Sequence, residues 1–352
     1  MQREIIKIGT RKSKLALWQA NYVADLLDEG GFQPELIPIE TKGDKIQSVS
    51  LSKIGSKGVF TEELELMLMR GQIDIAVHSA KDLQSSLPPG FSVLSFCERE
   101  SPDDVIVADK EIDLNSTNLV LGTSSTRRIA MLKHFYPHIK TIDARGNLQT
   151  RLEKLKLGLM DGLVLAYAGV RRMNYDDKIQ YWFDVDRFVP PVGQGSVAIE
   201  THERLSADTA LKIKALTNHS LTEKMLLAER AFLRGMDGGC SIPVFGHAQM
   251  EMDGQIELVG GIASLDGKKL IKRTMFLFYK TVFLLSCLYI RLFIFSLRFI
   301  AFLPFLPALY DTISQPLIFL KSFRILFSKG FVLLIGRLGN TFIPQSHVIL
   351  SF

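Results

Sequence analysis

Two short stretches about 110 residues apart constrain the fold of this chain more than anything else in it: Gly9-Thr10-Arg11-Lys12-Ser13 and Gly122-Thr123-Ser124-Ser125-Thr126-Arg127-Arg128. Each follows a short apolar run and opens an amphipathic one, the pattern of a strand turning into a helix. The rest of residues 1–273 keeps that alternation. EIIKIG, PELIPIET, IDIAVHS, NLVLGT, TIDARG and DGLVLAYAG read as strands, and KSKLALWQANYVADLLDEGG, FTEELELMLMRGQ, TRRIAMLKHFYP and LQTRLEKLKLG as helices. Alternation of this kind predicts α/β architecture with largely parallel sheets. The repeated turn predicts two similar α/β domains facing each other across a cleft. A third region begins with the helix LTEKMLLAERAFLRGM and continues through DGGCSIP into MEMDGQIELVGGIAS, where Asp253-Gly254 marks a hairpin.

A glycine, hydroxyls and arginines at a helix N-terminus suit an anion, because free N–H groups and the helix dipole point there. Ser13 and Ser125 can equally cap their helices. Two such turns with three arginines favour anion binding. Further arginines follow strands: Arg145 after TIDARG, Arg151 a turn later, and Arg171-Arg172 after DGLVLAYAG. Strand ends of this kind form the ligand crevice of an open α/β sheet. Cations gathered in one cleft repel one another unless a polyanion joins them, so the expected ligand carries several carboxylates or phosphates. No phosphate-binding P-loop or dinucleotide fingerprint is present, which disfavours a nucleotide. Lys81-Asp82 closes the strand IDIAVHS. At a crevice edge Asp82 is a carboxylate able to stabilise positive charge or move a proton; on an open surface the same pair is a solvated ion pair. The glycine- and lysine-rich stretch around Lys57 reads as a surface loop or as a lid over an anionic ligand.

Three cysteines, Cys97, Cys240 and Cys287, are odd in number and far apart, which argues against a disulfide framework and a structural zinc site. No metal is expected. Cys240 stands alone behind two glycines, on what reads as a tight, exposed turn. MQREIIKIGTRKSK has no apolar signal region, and a cytoplasmic location is expected. The net charge of +5 comes from the end of the chain: from residue 276 onward there are seven of the 42 Lys/Arg and one of the 37 Asp/Glu. The body is therefore near neutral, and no nucleic-acid partner is expected.

Taken together, GTRKSKLALWQA, KGVFTEELE, DIAVHSAKD, GTSSTRR, ARGNLQTRL, VPPVGQGSVAIE, LAERAFLRGMDGGCSIPV and GGIASLDG resemble the porphobilinogen deaminase (hydroxymethylbilane synthase) family, in the family's order over about residues 3–273. The resemblance implies an α/β chain of three domains: two similar to type II periplasmic-binding-protein lobes and a small α/β C-terminal domain. The expected limits are 1–98 with 196–217 for the first, 99–195 for the second and 218–273 for the cofactor-bearing third. It implies a transferase of haem and porphyrin biosynthesis that joins four porphobilinogen molecules into the linear tetrapyrrole hydroxymethylbilane with release of ammonia. By the same resemblance Cys240 holds a dipyrromethane cofactor through a thioether. Arg11, Ser13, Lys81, Thr123, Ser124, Ser125, Arg127, Arg128, Arg145, Arg151 and Arg172 hold acetate and propionate groups, Lys57 belongs to a lid, and Asp82 serves catalysis at the pyrrole nitrogens. The implied partners are porphobilinogen and the growing oligopyrrole, bound by a monomer. Two other readings compete: a two-lobed anion-binding protein without catalysis, and an inactive variant.

The inactive reading arises from residues 274–352. Fourteen of the 23 phenylalanines fall in the last 77 residues, where the family would have a polar amphipathic final helix. The charge-free run 299–310 is too short to span a bilayer. This apolar, basic tail reads as a sequence that is not a natural domain end, as a membrane-associating segment, or as an unusual soluble end.

Overall fold

A computed structural model describes residues 3–41, 61–236 and 242–278. Among these, 13 strands form three sheets. The first sheet holds β1 (Ile5–Arg11), β2 (Gln33–Ile39), β3 (Ile75–Ser79), β4 (Phe91–Phe96) and β10 (Val197–His202), in the order β2-β1-β3-β10-β4. The second holds β5 (Asp104–Val107), β6 (Val120–Gly122), β7 (Lys140–Ile142), β8 (Gly162–Ala166) and β9 (Ile179–Trp182), in the order β7-β6-β8-β5-β9. The two orders match position for position. In each sheet the first three strands are parallel and the fourth runs against both its neighbours. The sheets are thus mixed, where the sequence pattern predicts largely parallel ones.

The reversed strand has a cause in the path of the chain. It leaves the first sheet after β4, builds the second sheet from β5 to β9, and returns as β10. The returning strand enters beside β3 in the opposite sense, and β5 plays the same part in the second sheet. The two crossings, about residues 97–103 and 183–196, run side by side: Cys97 N–H donates to Val197 O (3.0 Å) and Glu100 N–H to Gly195 O (3.2 Å).

Seven helices cover these sheets among the described residues: α1 (Lys14–Glu29), α2 (Glu62–Met69), α3 (Thr126–Phe135), α4 (Leu148–Lys156), α5 (Tyr167–Arg172), α6 (Ala207–Thr217) and α7 (Ser220–Gly235). α1 presents Ala20, Val23, Ala24 and Leu27 to Ile6, Ile8, Ile75, Val77, Val197 and Ile199, one core around the first sheet. α2 closes its other face with Leu64 and Leu68 against Ile73 and Ala76. The strand expected over DGLVLAYAG stops at Ala166, and Tyr167–Arg172 is a helix. Arg172 is therefore carried on a helix end and not on a strand end. TIDARG likewise pairs only as far as Ile142, which leaves Arg145 in the turn before α4.

The third sheet is an antiparallel meander of β11 (Val244–Met250), β12 (Gln255–Ala263) and β13 (Leu270–Phe278), with Gly254 in the expected hairpin at φ +80°. α7 packs Phe232 on one face, where Gly246 and Gly260 leave room for its ring. The opposite face buries Phe245 among Met131 and Leu132 of α3. β13 continues to Phe278, five residues past the expected end of this region at 273, and stays paired with β12 throughout. The apolar tail beyond it lies outside the described residues, as do Lys57 with its loop, and Cys240.

Candidate active site

The two repeated turns occupy equivalent places: each follows the second strand of its sheet order and opens the first long helix packed on that sheet. Ser13 caps α1 by accepting from the Ala16 N–H at 3.3 Å, and Ser125 caps α3 by accepting from the Arg128 N–H at 3.4 Å. Both serines therefore have the capping role, and the anion-binding role has to be judged from what surrounds them.

On the side of the first sheet, Arg11, Ser13, Gln19, His78, Ser79 and Asp82 line one depression. It sits where β1 and β3 end and α1 begins. Lys81 and Asp82 lie in a 3-10 turn, Ala80–Asp82, that continues from β3. Asp82 is exposed and Lys81 partly buried. The Lys81 ammonium donates to Gln194 Oε1 at 3.2 Å. Burial and the neighbouring Arg128 charge push Lys81 down to about 8, although Asp82 and Asp104 act in the other direction.

On the side of the second sheet stand Arg127, Arg128, Arg145 and Arg151. Burial and the charge of Arg128 hold Arg151 down to about 10, while Asp143 and Asp82 act to raise it. Asp82 is carried by the first sheet and Arg151 by the second, so the two sides are close enough to feel each other's charges. Arg145 donates to Asp143 at 2.6 Å, and Asp143 also accepts from the Ser124 hydroxyl. Burial would raise the Asp143 carboxyl, but these two bonds and the Arg145 charge more than offset it and hold it low. Thr123 is buried, and its hydroxyl accepts from the Ser125 N–H at 3.3 Å.

Arg127 and Arg128 are placed differently from the expectation. Both are buried and turned onto Asp104, the first residue of β5. Arg128 donates to Asp104 Oδ1 from Nε (3.1 Å) and Nη2 (2.6 Å), and to Val164 O at 2.9 Å. Arg127 pairs with Asp104 Oδ2 and donates to Val189 O at 2.9 Å. Burial alone would raise the Asp104 carboxyl; the two guanidiniums outweigh it and hold it far below the usual carboxylate range. The physical reason is that a fully buried carboxylate is tolerated only when paired. One carboxylate facing two guanidiniums leaves the group one positive charge in excess, and that charge acts on Lys81 and Arg151.

Arg172 donates to Gly195 O at 2.6 Å in the returning crossing, and its guanidinium lies 5.3 Å from the centre of the Trp18 ring. Arg171 is exposed and pairs with Glu100 (3.4 Å) and Asp176 (3.7 Å).

Sequence reasoning missed three residues that hold these groups together. Asp104 precedes an apolar run and reads as a surface acid. Gln194 is fully buried; its amide donates to Pro102 O (2.6 Å) and Asp104 Oδ1 (2.9 Å) while its carbonyl takes Lys81. Glu229 on α7 is also fully buried, and accepts from Arg99 Nη1 (2.6 Å), Gly193 N–H (2.8 Å) and Ala248 N–H (2.8 Å). His247, seven residues after Cys240 in sequence, faces that same carboxylate at 3.5 Å. Two glycines carried a readable signal. Gly193 and Gly195 have φ of +80° and +96°, and a Cβ on them would lie 2.8 Å from Lys81 N and 2.2 Å from Glu100 O. A GxG between a proline pair and an apolar strand marks such a close passage.

The family model described as porphobilinogen deaminase, dipyromethane cofactor binding domain, matches residues 6–210, and that of the porphobilinogen deaminase C-terminal domain matches residues 224–277. The chain is 52% identical over 272 residues to the porphobilinogen deaminase of Desulfosudis oleivorans, spanning 76% of this chain and 87% of that protein. It is 53% identical over 270 residues to the porphobilinogen deaminase of Cytophaga hutchinsonii, spanning 76% and 86%.

Proposed function

Because this chain belongs to the porphobilinogen deaminase family, whose members carry a dipyrromethane cofactor, we propose that it joins four porphobilinogen molecules into hydroxymethylbilane with release of ammonia, as a transferase of tetrapyrrole biosynthesis. The observation that carries this reading is that Asp82 lines a depression beside Arg11 and Ser13, while its neighbour Lys81 is tied through Gln194 (3.2 Å) to Asp104 (2.9 Å), the partner of Arg127 and Arg128. A chain of pyrroles, each bearing an acetate and a propionate, fits such a site. Lys81 and Arg151 are both held below their ordinary values by burial and by Arg128. A ligand carboxylate relieves that strain by supplying the missing counter-charge.

When bound, dipyrromethane supplies the electron-rich pyrrole end on which the chain grows. The protein's own residues then divide the work. Arg11, Ser13, Lys81, Arg145, Arg151 and Arg172 bind and orient acetate and propionate groups, with Thr123, Ser124 and Ser125 at the α3 turn. Arg127 and Arg128, braced by Asp104, supply the field that draws carboxylates in. Asp82 stabilises the positive charge left on the substrate as its ammonia departs. It then accepts the ring proton displaced by the new carbon–carbon bond and passes it on to the released ammonia or to water, so each cycle releases ammonia and restores the carboxylate. Cys240 is the attachment point. The same reading makes the chain a cytoplasmic monomer, with its three sheets as the cores of three domains.

Intact-mass spectrometry of the purified protein tests this. The expected result is the polypeptide mass plus two pyrrole rings, with the addition absent in Cys240→Ala. Folded protein at the bare polypeptide mass, with no turnover of porphobilinogen, would leave the non-catalytic anion-binding reading. Among the described residues no helix is long and apolar enough to cross a membrane.

A further inference from the structure

Arg172 closes α5, beside the second sheet, and Trp18 belongs to α1, which packs on the first. The Arg172 guanidinium lies over the Trp18 ring, 5.3 Å from its centre. The ring is itself held: Tyr22, one turn further along α1, stacks on it with centroids 5.7 Å apart and planes 11° from parallel. Arg172 also donates to Gly195 O at 2.6 Å, so the contact sits at the crossing between the two lobes. Burial pushes the guanidinium below the usual arginine value, with Glu100 only partly restoring it. A cation withdrawn from water in this way gains from the negative face of an indole, and the gain is larger than at an open surface.

We propose that Trp18 is a positioning residue for Arg172: its ring is a shelf, contributed by one lobe, that holds the guanidinium of the other lobe at the junction where a porphobilinogen carboxylate takes it. Without the shelf the Gly195 carbonyl is the one hydrogen-bond anchor described for the guanidinium, so the long side chain samples more rotamers, and each binding event has to restrict them again. Trp18 touches no reacting atom in this scheme. It acts on substrate binding through Arg172, and an aromatic replacement keeps part of the effect. The inference rests on the reading of Arg172 as a carboxylate ligand.

Two measurements test it. In the holoenzyme, Trp18→Leu is expected to raise KM for porphobilinogen about fivefold while kcat changes less than about twofold, with Trp18→Phe recovering part of the loss. An unchanged KM in Trp18→Leu overturns the proposal, and so does a loss of kcat and thermal stability with KM unaffected, which is the signature of packing alone. The second measurement needs no substrate. The chain has two tryptophans. In a Trp182→Phe background the emission reports Trp18 alone, and Arg172→Gln is expected to shift its intensity or maximum. Emission indifferent to Arg172→Gln also overturns the proposal, and this arm decides if Trp18→Leu does not fold. Failure of the catalytic reading shows instead in the mass and turnover experiments, so the two can fail separately.

Discussion

Lys81 gives the clearest pH signature in the molecule. Its pKa in the folded protein lies at about 8, below the ordinary lysine value of 10.5, with burial as the first cause. The unfolded chain therefore binds more protons than the folded one between those values. Stability contributed by this group rises with pH across that window. Ligand affinity has the opposite sign. A carboxylate favours the charged ammonium, so binding takes up a proton above pH 8 and weakens as pH rises further. KM for porphobilinogen is expected to climb on the alkaline side of pH 8, and Lys81→Met to flatten that limb, in a steady-state pH series. Asp82→Ala is expected to keep the covalent cofactor mass and to lower kcat by about 10²–10⁴-fold, the usual worth of a positioned acid–base group; turnover near the parent value would take Asp82 out of the chemistry. Ser13, Ser125 and Asp82 were legible in the sequence because a turn between a strand and a helix fixes where such residues sit. Asp104 was not, since an acid before an apolar run reads as solvent-facing until sheet pairing places it under two arginines.

At the level of elements, the second sheet depends on one buried ion group. β5 starts with Asp104, α3 supplies Arg127 and Arg128, and the β8 carbonyl of Val164 completes the arrangement. Asp104→Ala strands two guanidiniums away from water, and an expected loss of about 3–5 kcal/mol follows from breaking a buried pair on one side. Urea unfolding of the full chain measures it; a change within about 0.5 kcal/mol, the usual range for an open surface position, would show that Asp104 is not buried in solution. The helices α1 and α3 were legible from their caps and apolar spacing. α5 was not, because AYAGVRR continues an apolar strand with no capping residue, and only the packing of its helix against β8 and α1 ends the strand at Ala166. The difference moves Arg172 from a strand end to a helix end facing Trp18.

Among the described residues the same side-by-side crossings join the three sheets. Gln194 ties Lys81 of the first lobe to Asp104 of the second, and Glu229 ties α7 and β11 to both crossings through Arg99 and Gly193. Glu229→Gln keeps the shape but turns one acceptor into a donor facing N–H groups. It also leaves the buried Arg99 guanidinium without its charge partner, so the expected cost is about 3–5 kcal/mol, as for any buried pair broken on one side. Hydrogen exchange should quicken at Gly193 and Ala248 before it does in β12, and uniform loss of protection would count against a local junction. The sequence by itself determined the α/β class and the two like turns with their serine caps, since these follow from local periodicity and capping. Only the tertiary structure decided that Arg127 and Arg128 face Asp104, which strands run backwards, and which residues tie the sheets together. Those depend on contacts between residues far apart in sequence, such as Gln194 with Lys81, Glu229 with Arg99 and Asp104 with Arg127, and no local pattern encodes which distant partner a buried polar group will meet.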